Sequence, residues 1–148
     1  MANLVTNIGK GRFVYYAGLP AATDSLIAVV LEATALESDD ALQDYDDLAA
    51  LIAGASNEQT TMGRKTLANP TVTVNDTANT ASIDCDDITW TAATGNATGK
   101  LVIAYVPSTG AADNLCIPLT LHDFSVTPDG TDITVQINAA GLATAANA

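Results

Sequence analysis

Positive charge is nearly missing from this sequence. Five lysines and arginines stand against 17 aspartates and glutamates, for a formal net charge of −12 at pH 7. A field of that sign repels phosphate and excludes the nucleic-acid-binding class. Aromatic residues are scarce as well, 5% of the chain with a single tryptophan, too few for a platform that stacks bases or sugars. One histidine, His122, is the only conventional general base. The two cysteines, Cys85 and Cys116, do not make a disulfide framework. Each lies among apolar neighbours on an expected strand and reads as a buried free thiol, with a single bridge left open. The longest apolar run, residues 26–31, is far too short to span a bilayer. Residues 1–12 lack the charged start and apolar stretch of a signal peptide. The expectation is a soluble protein made in the cytoplasm, with no membrane partner.

What is present is apolar and small. Hydrophobic residues make up 48% of the 148, but charged residues only 15%, against the usual quarter. The polar surface therefore falls to Thr, Asn, Ser and Gly, a profile that fits an extracellular or virion β-protein. The length suits one domain with one core. Residues 1–24 are punctuated by Gly9, Gly11, Gly18 and Pro20, which argues against regular structure. They are expected to form an extended N-terminal arm carrying Phe13, Val14, Tyr15 and Tyr16. Residues 25–148 are expected to form a single β-rich domain.

Within that domain the run 26–31, rich in β-branched residues, reads as a buried strand. One short helix follows, with Asp44 as N-cap, Asp47 near the positive end of the dipole, Leu48, Leu51 and Ile52 along one face and Gly54 as stop. A start at Ser38 is the alternative. Past Asn69-Pro70 the pattern turns to strands. Thr71-Val72-Thr73-Val74 and Ala81-Ser82-Ile83-Asp84-Cys85 alternate with period two around a turn-forming Asn75-to-Asn79 stretch. The parity slips at Asp86-Asp87, which predicts a bulge or bend before Ile88 and Trp90. Residues 100–106 and 115–121 are further strands, the latter placed by Pro118 at an edge or beside a bulge. Residues 124–126, a Pro128-Asp129-Gly130 turn, and Ile133, Val135 and Ile137 read as a final hairpin. The architecture expected is mainly β: an antiparallel β-sandwich or partly open barrel with one short helix.

No catalytic constellation emerges from these residues. His122 and Asp123 are adjacent on a strand, so their side chains point to opposite faces and cannot act as a dyad. No serine sits in a nucleophile elbow. The acidic groups Asp44-Asp46-Asp47 and Asp84-Asp86-Asp87 lack the calcium-loop spacing and read as a helix N-terminus and a solvated bulge. Trp90 reads as a core anchor beside Ile88. The chain is expected not to be an enzyme and to need no cofactor or metal.

Three stretches carry a resemblance. Asp44-Tyr45-Asp46-Asp47-Leu48-Ala49-Ala50-Leu51 leads through Asn57-Glu58 to Gly63-Arg64-Lys65-Thr66-Leu67. Residues 71–90 have the form TVTV-D-T-N…D-DDITWTAA. Residues 117–134 have the form IPLT-HDF-VTPDG-DIT. Together they resemble small structural proteins encoded among the virion genes of tailed bacteriophages, over roughly half of the chain. The resemblance implies a capsid decoration (cement) protein on the outer shell of the virion, with the major capsid protein as partner. It also implies self-association, as a trimer by likeness to other cement proteins, or as a dimer. Shell contacts are then expected from the few bases and the aromatics of the arm: Lys10, Arg12, Phe13, Tyr15, Tyr16, Arg64 and Lys65. The competing readings are a tail, neck or head-fibre component, or a host-attachment module binding carbohydrate. The last would be favoured by joint exposure of Tyr15, Tyr16 and Tyr105.

Overall fold

The apolar run that follows the first turns becomes the long strand β2 (Ser25–Glu32) of a computed structural model that describes residues 3–10, 12–54 and 57–146. Every position of the strand it pairs with, β7 (Thr98–Val106), is buried. The runs 26–31 and 101–106 within these strands are almost wholly apolar because both faces of their sheet are covered. The sheet has five strands in the order β1 (Leu4–Val5), β8 (Ile117–Asp123), β7, β2 and β3 (Lys65–Thr66), with all pairings antiparallel.

On one face Val29, Leu31, Val102, Ala104 and Leu121 pack with Leu42, Leu48 and Leu51, which come from helices α3 (Asp39–Leu42) and α4 (Leu48–Ala53). On the other, Leu26, Ala28, Val30, Leu101, Ile103 and Leu119 join Ile83, Ile88, Trp90 and Phe124 in a larger core. That core is roofed by two small sheets. One runs β10 (Ala143–Ala146), β5 (Thr80–Asp84), β4 (Thr71–Asn75). The other pairs β6 (Ile88–Trp90) with β9 (Ile133–Val135). The fold is mainly β, 35% strand against 16% helix, and antiparallel, in the layered manner of a sandwich. Among the described residues no barrel closes.

Several expectations are met in detail. The 71–75/80–84 hairpin forms, and Asn75 Oδ1 accepts from the Thr77 and Ala78 amides in its turn. Pro118 sits beside a bulge. The β7–β8 register shifts between Ile103 and Ala104, so Thr120 and Pro118 face consecutive residues and Leu119 is left over. The parity slip at Asp86-Asp87 falls in the connection by which the chain leaves one small sheet for the other.

Three expectations need correction. The single helix is replaced by several short ones. Ser38 caps α3 by accepting from Ala41 N, and Asp47, not Asp44, caps α4 by accepting from Ala50 N at 2.7 Å. Two caps in close succession split the apolar stretch into separate turns. The final hairpin does not form locally. Strand β9 pairs with β6, in the register Ile88↔Val135, Thr89↔Thr134, Trp90↔Ile133, since pairing there lets Ile133 and Val135 pack against the large core.

The third correction concerns residues 1–24, of which Met1, Ala2 and Gly11 lie outside the described residues. The remainder is not an extended arm. It supplies β1, then α1 (Asn7–Lys10) and α2 (Phe13–Ala17), with Phe13 and Ala17 buried in the large core. Thr6 Oγ1 donates to Pro118 O at 2.5 Å. Gly9 lies so close to β8 that a Cβ there would sit 2.7 Å from the Leu119 carbonyl oxygen. This glycine permits close approach of backbone to backbone and does not mark a break in structure.

Candidate functional site

The bases are few, so where each one is held decides what the surface offers. Arg64 stands just before β3 and forks between two acids. Its Nε and Nη2 donate to Glu58, both at 2.8 Å, and its Nη1 and Nη2 donate to Asp113 at 2.6 and 2.8 Å. Such bidentate pairs fix geometry as well as charge. The bond from Arg64 holds the Asp113 carboxyl below its usual range, and the two acids raise the guanidinium further. The result pins β3 to the segment ahead of β8. Arg64 and Asp113 also line an open cleft of about 630 Å³, with Asp24, Thr66 and Cys116 among its walls. Lys65 is half-buried on β3, opposite Ala28.

The remaining shell-contact candidates are on the N-terminal segment. Lys10 is exposed and donates to Asn7 Oδ1 at 2.8 Å, and Arg12 is exposed at the N-cap of α2. Phe13 is in the core, which removes it from any contact surface. Three tyrosines run from surface to core. Tyr15, 60% exposed, meets Tyr16 edge-on at 5.4 Å between ring centroids, and Tyr16 leans on Tyr105 at 4.6 Å. Tyr105 is buried and donates to Asp24 Oδ2 at 2.9 Å. Burial first, and then that bond, pushes its hydroxyl up to about 12. Since only Tyr15 is well exposed, the joint exposure that a carbohydrate platform needs does not occur. The seven candidates thus do not form one patch: Arg64 lines the cleft, and Lys10 and Arg12 lie outside it.

The fifth base has a role that sequence reasoning missed. Lys100, at the start of β7, is fully buried, with Nζ 2.7 Å from Asp123 on the neighbouring strand and 2.9 Å from Asp39 at the start of α3. A buried ammonium requires such partners, and this one ties the helical layer to the sheet. The signal available was a lone lysine inside an otherwise apolar strand.

His122, across from Leu101, points the other way from Asp123, as strand geometry requires. Its Nε2 is 2.9 Å from Thr120 Oγ1, and burial, then the nearby Lys100 charge, draws the imidazole below its ordinary value. The acidic groups are engaged separately. Asp44 accepts from Asn7, Asp86 from Asn69, and Asp87 from the Ile137 amide. Among the described residues no group of three or more His, Cys, Asp or Glu is placed to hold a metal ion. Cys85 and Cys116 are free and buried, and burial pushes the Cys85 thiol up to about 11.

The segments that carry the resemblance meet in the interior. The Trp90 indole N–H donates to Gly63 O at 2.9 Å, and the indole packs on Phe124 with centroids 5.8 Å apart. The Leu48 amide donates to Cys116 O at 2.9 Å. Comparison with known proteins gives no match: no family model, no curated protein and no solved structure is similar to the chain.

Proposed function

We propose that this chain is a structural protein of a tailed-phage virion that binds the outer face of the capsid shell and stabilises it. One observation carries the reading. The three resembling segments converge on a shared interior, through Trp90, Gly63 and Phe124, so what they have in common is a scaffold. The ionisable groups support it. Arg64 and Lys100 are engaged in ion pairs that join separate elements, which suits a body that must resist outward pressure. The central sheet is buried on both faces and gives that body stiffness. The major capsid protein is the partner in this reading. Modest contacts at many symmetric positions add through multivalency, and an acidic outer surface keeps decorated particles apart in solution.

Copy number and location in purified particles test the reading, by quantitative gel densitometry and antibody labelling. Many copies spread over the head are expected. A few copies, or label confined to the neck or tail, would overturn it and favour a connector or fibre component.

A further inference from the structure

Among the described residues, the outer strand of the small three-stranded sheet, β4, is paired on one side only, with β5. Its pairing to β5 runs without a register break from Thr71↔Asp84 to Asn75↔Thr80. Natural edge strands are blunted by charges, prolines or bulges. β4 carries none of these along its length, although the chain around it has a net charge of −12. Strand alternation puts Val72 and Val74 on one face and Thr71, Thr73 and Asn75 on the other. The row Val72–Ile83–Ala143 packs against the large core. The next row on the same face, Val74–Ala81–Ala145, overhangs it, and Val74 is 66% exposed. That row walls a surface hollow of about 320 Å³.

We propose that β4 is a pairing edge for a second copy of this chain, joined antiparallel about a two-fold axis through Thr73. The pattern Thr-Val-Thr-Val-Asn is complementary to itself in that register. Thr73 faces its own copy, each Val72 faces the other copy's Val74, and each Thr71 faces the other Asn75. Apolar side chains then meet on the core face and hydroxyl and amide groups on the opposite face, and each overhanging Val74 gains cover. Cross-strand threonine and β-branched pairs of this kind are favourable. No charged residue lies within the paired segment, so nothing in it selects a partner of opposite charge, and the paired edges do not repel. The remaining acidic surface does repel between copies, and salt screens it. Dimerisation is therefore weak and strengthens with ionic strength. The inference does not depend on where the protein is located, since it is read in the purified chain.

Sedimentation velocity of the purified chain over a concentration series, at low and high salt, supplies the test. A dimer that grows with concentration and with salt is expected. Thr73→Lys and Thr73→Glu each place like charges directly across the axis and are expected to give monomers, while an equimolar mixture of the two restores a dimer. Thr73 is exposed, so unchanged far-UV circular dichroism and melting of each variant report an intact fold. A monomer at every concentration and salt would overturn the proposal. So would a dimer that both variants leave intact, or a mixture that stays monomeric.

Discussion

Replacing Trp90 by alanine is the perturbation whose size the structure fixes best. The side chain is buried, packs on Phe124 and sits among Ile88, Ala93 and the β7 residues of the large core. An aromatic side chain of this kind removes about 150–250 Å² from water, worth about 4–6 kcal/mol at 25 cal/mol per Å². Truncations of buried Trp or Phe to alanine cost about 3–5 kcal/mol once partial relaxation is included. The same change strips the Gly63 carbonyl of the indole N–H at 2.9 Å, a loss of about 1 kcal/mol that sits inside that range. For a domain of this size each kcal/mol moves the melting temperature by about 2–4 °C, so Trp90→Ala is expected to melt about 6–20 °C lower. Trp90→Phe keeps the packing on Phe124 but not the N–H donor, and is expected to lose about a third of that. Melting followed by far-UV circular dichroism measures both without the indole as a probe. A Trp90→Ala protein melting within about 2 °C of the parent would refute the reasoning, because it would mean the three resembling segments do not depend on this contact.

The other predictions concern the tethers. Deleting residues 1–20 removes Phe13, Ala17 and the β1 pairing, and is expected to give a chain that melts far lower or fails to fold; a deletion that melts like the parent would restore the arm. Asp113 has its carboxyl lowered by Arg64, so its contribution is fully present above the unfolded value of about 4 and is lost as pH falls through the lower folded value. Arg64→Ala is therefore expected to melt below the parent at neutral pH, with the two curves converging in acid, as scanning calorimetry across pH would show. Lys100→Met removes the buried ammonium that Asp39 and Asp123 share. Breaking a buried pair costs about 3–5 kcal/mol, and partial hydration of Asp123 brings the expected loss to the lower end, measured by urea unfolding. Cys85 and Cys116 are expected to react with a thiol reagent slowly in the native protein and rapidly once it is denatured; fast native reaction would contradict their burial.

How far the sequence could be read depended on how local each signal was. The run at 26–31, the 71–85 alternation with its asparagine-led turn and the bulge beside Pro118 are short-range patterns. Their physics, burial on two faces, period two and a missing amide donor, acts within one or two strands. The N-terminal segment failed for the opposite reason. Gly9 reads locally as a breaker, and only the position of Leu119, more than a hundred residues away, shows that it permits a close approach. The pairing of β9 with β6 failed likewise. Residues 124–137 have a sound turn in Pro128-Asp129-Gly130, where Thr131 N and Oγ1 donate to Asp129 Oδ1, and a turn does not specify which strand its exit will join.

The same distinction governs the candidate site. Counting bases identified five residues but could not tell a contact from a tether, because the difference lies in partners distant in sequence. Arg64 reaches Asp113, and Lys100 reaches both Asp123 and Asp39. With Arg64 held in surface ion pairs, Lys100 buried and Phe13 in the core, the exposed bases outside those ion pairs are Lys10 and Arg12, on the same N-terminal segment as the exposed Tyr15. An acidic protein with so little positive surface binds an acidic partner poorly through charge. Another surface feature is neutral: the edge of β4, which among the described residues pairs on one side only, with the exposed Val74 beyond the core. Recognition by backbone pairing and apolar cover needs no charge. It is the kind of contact that a chain with few bases, few aromatics and many threonines is equipped to make.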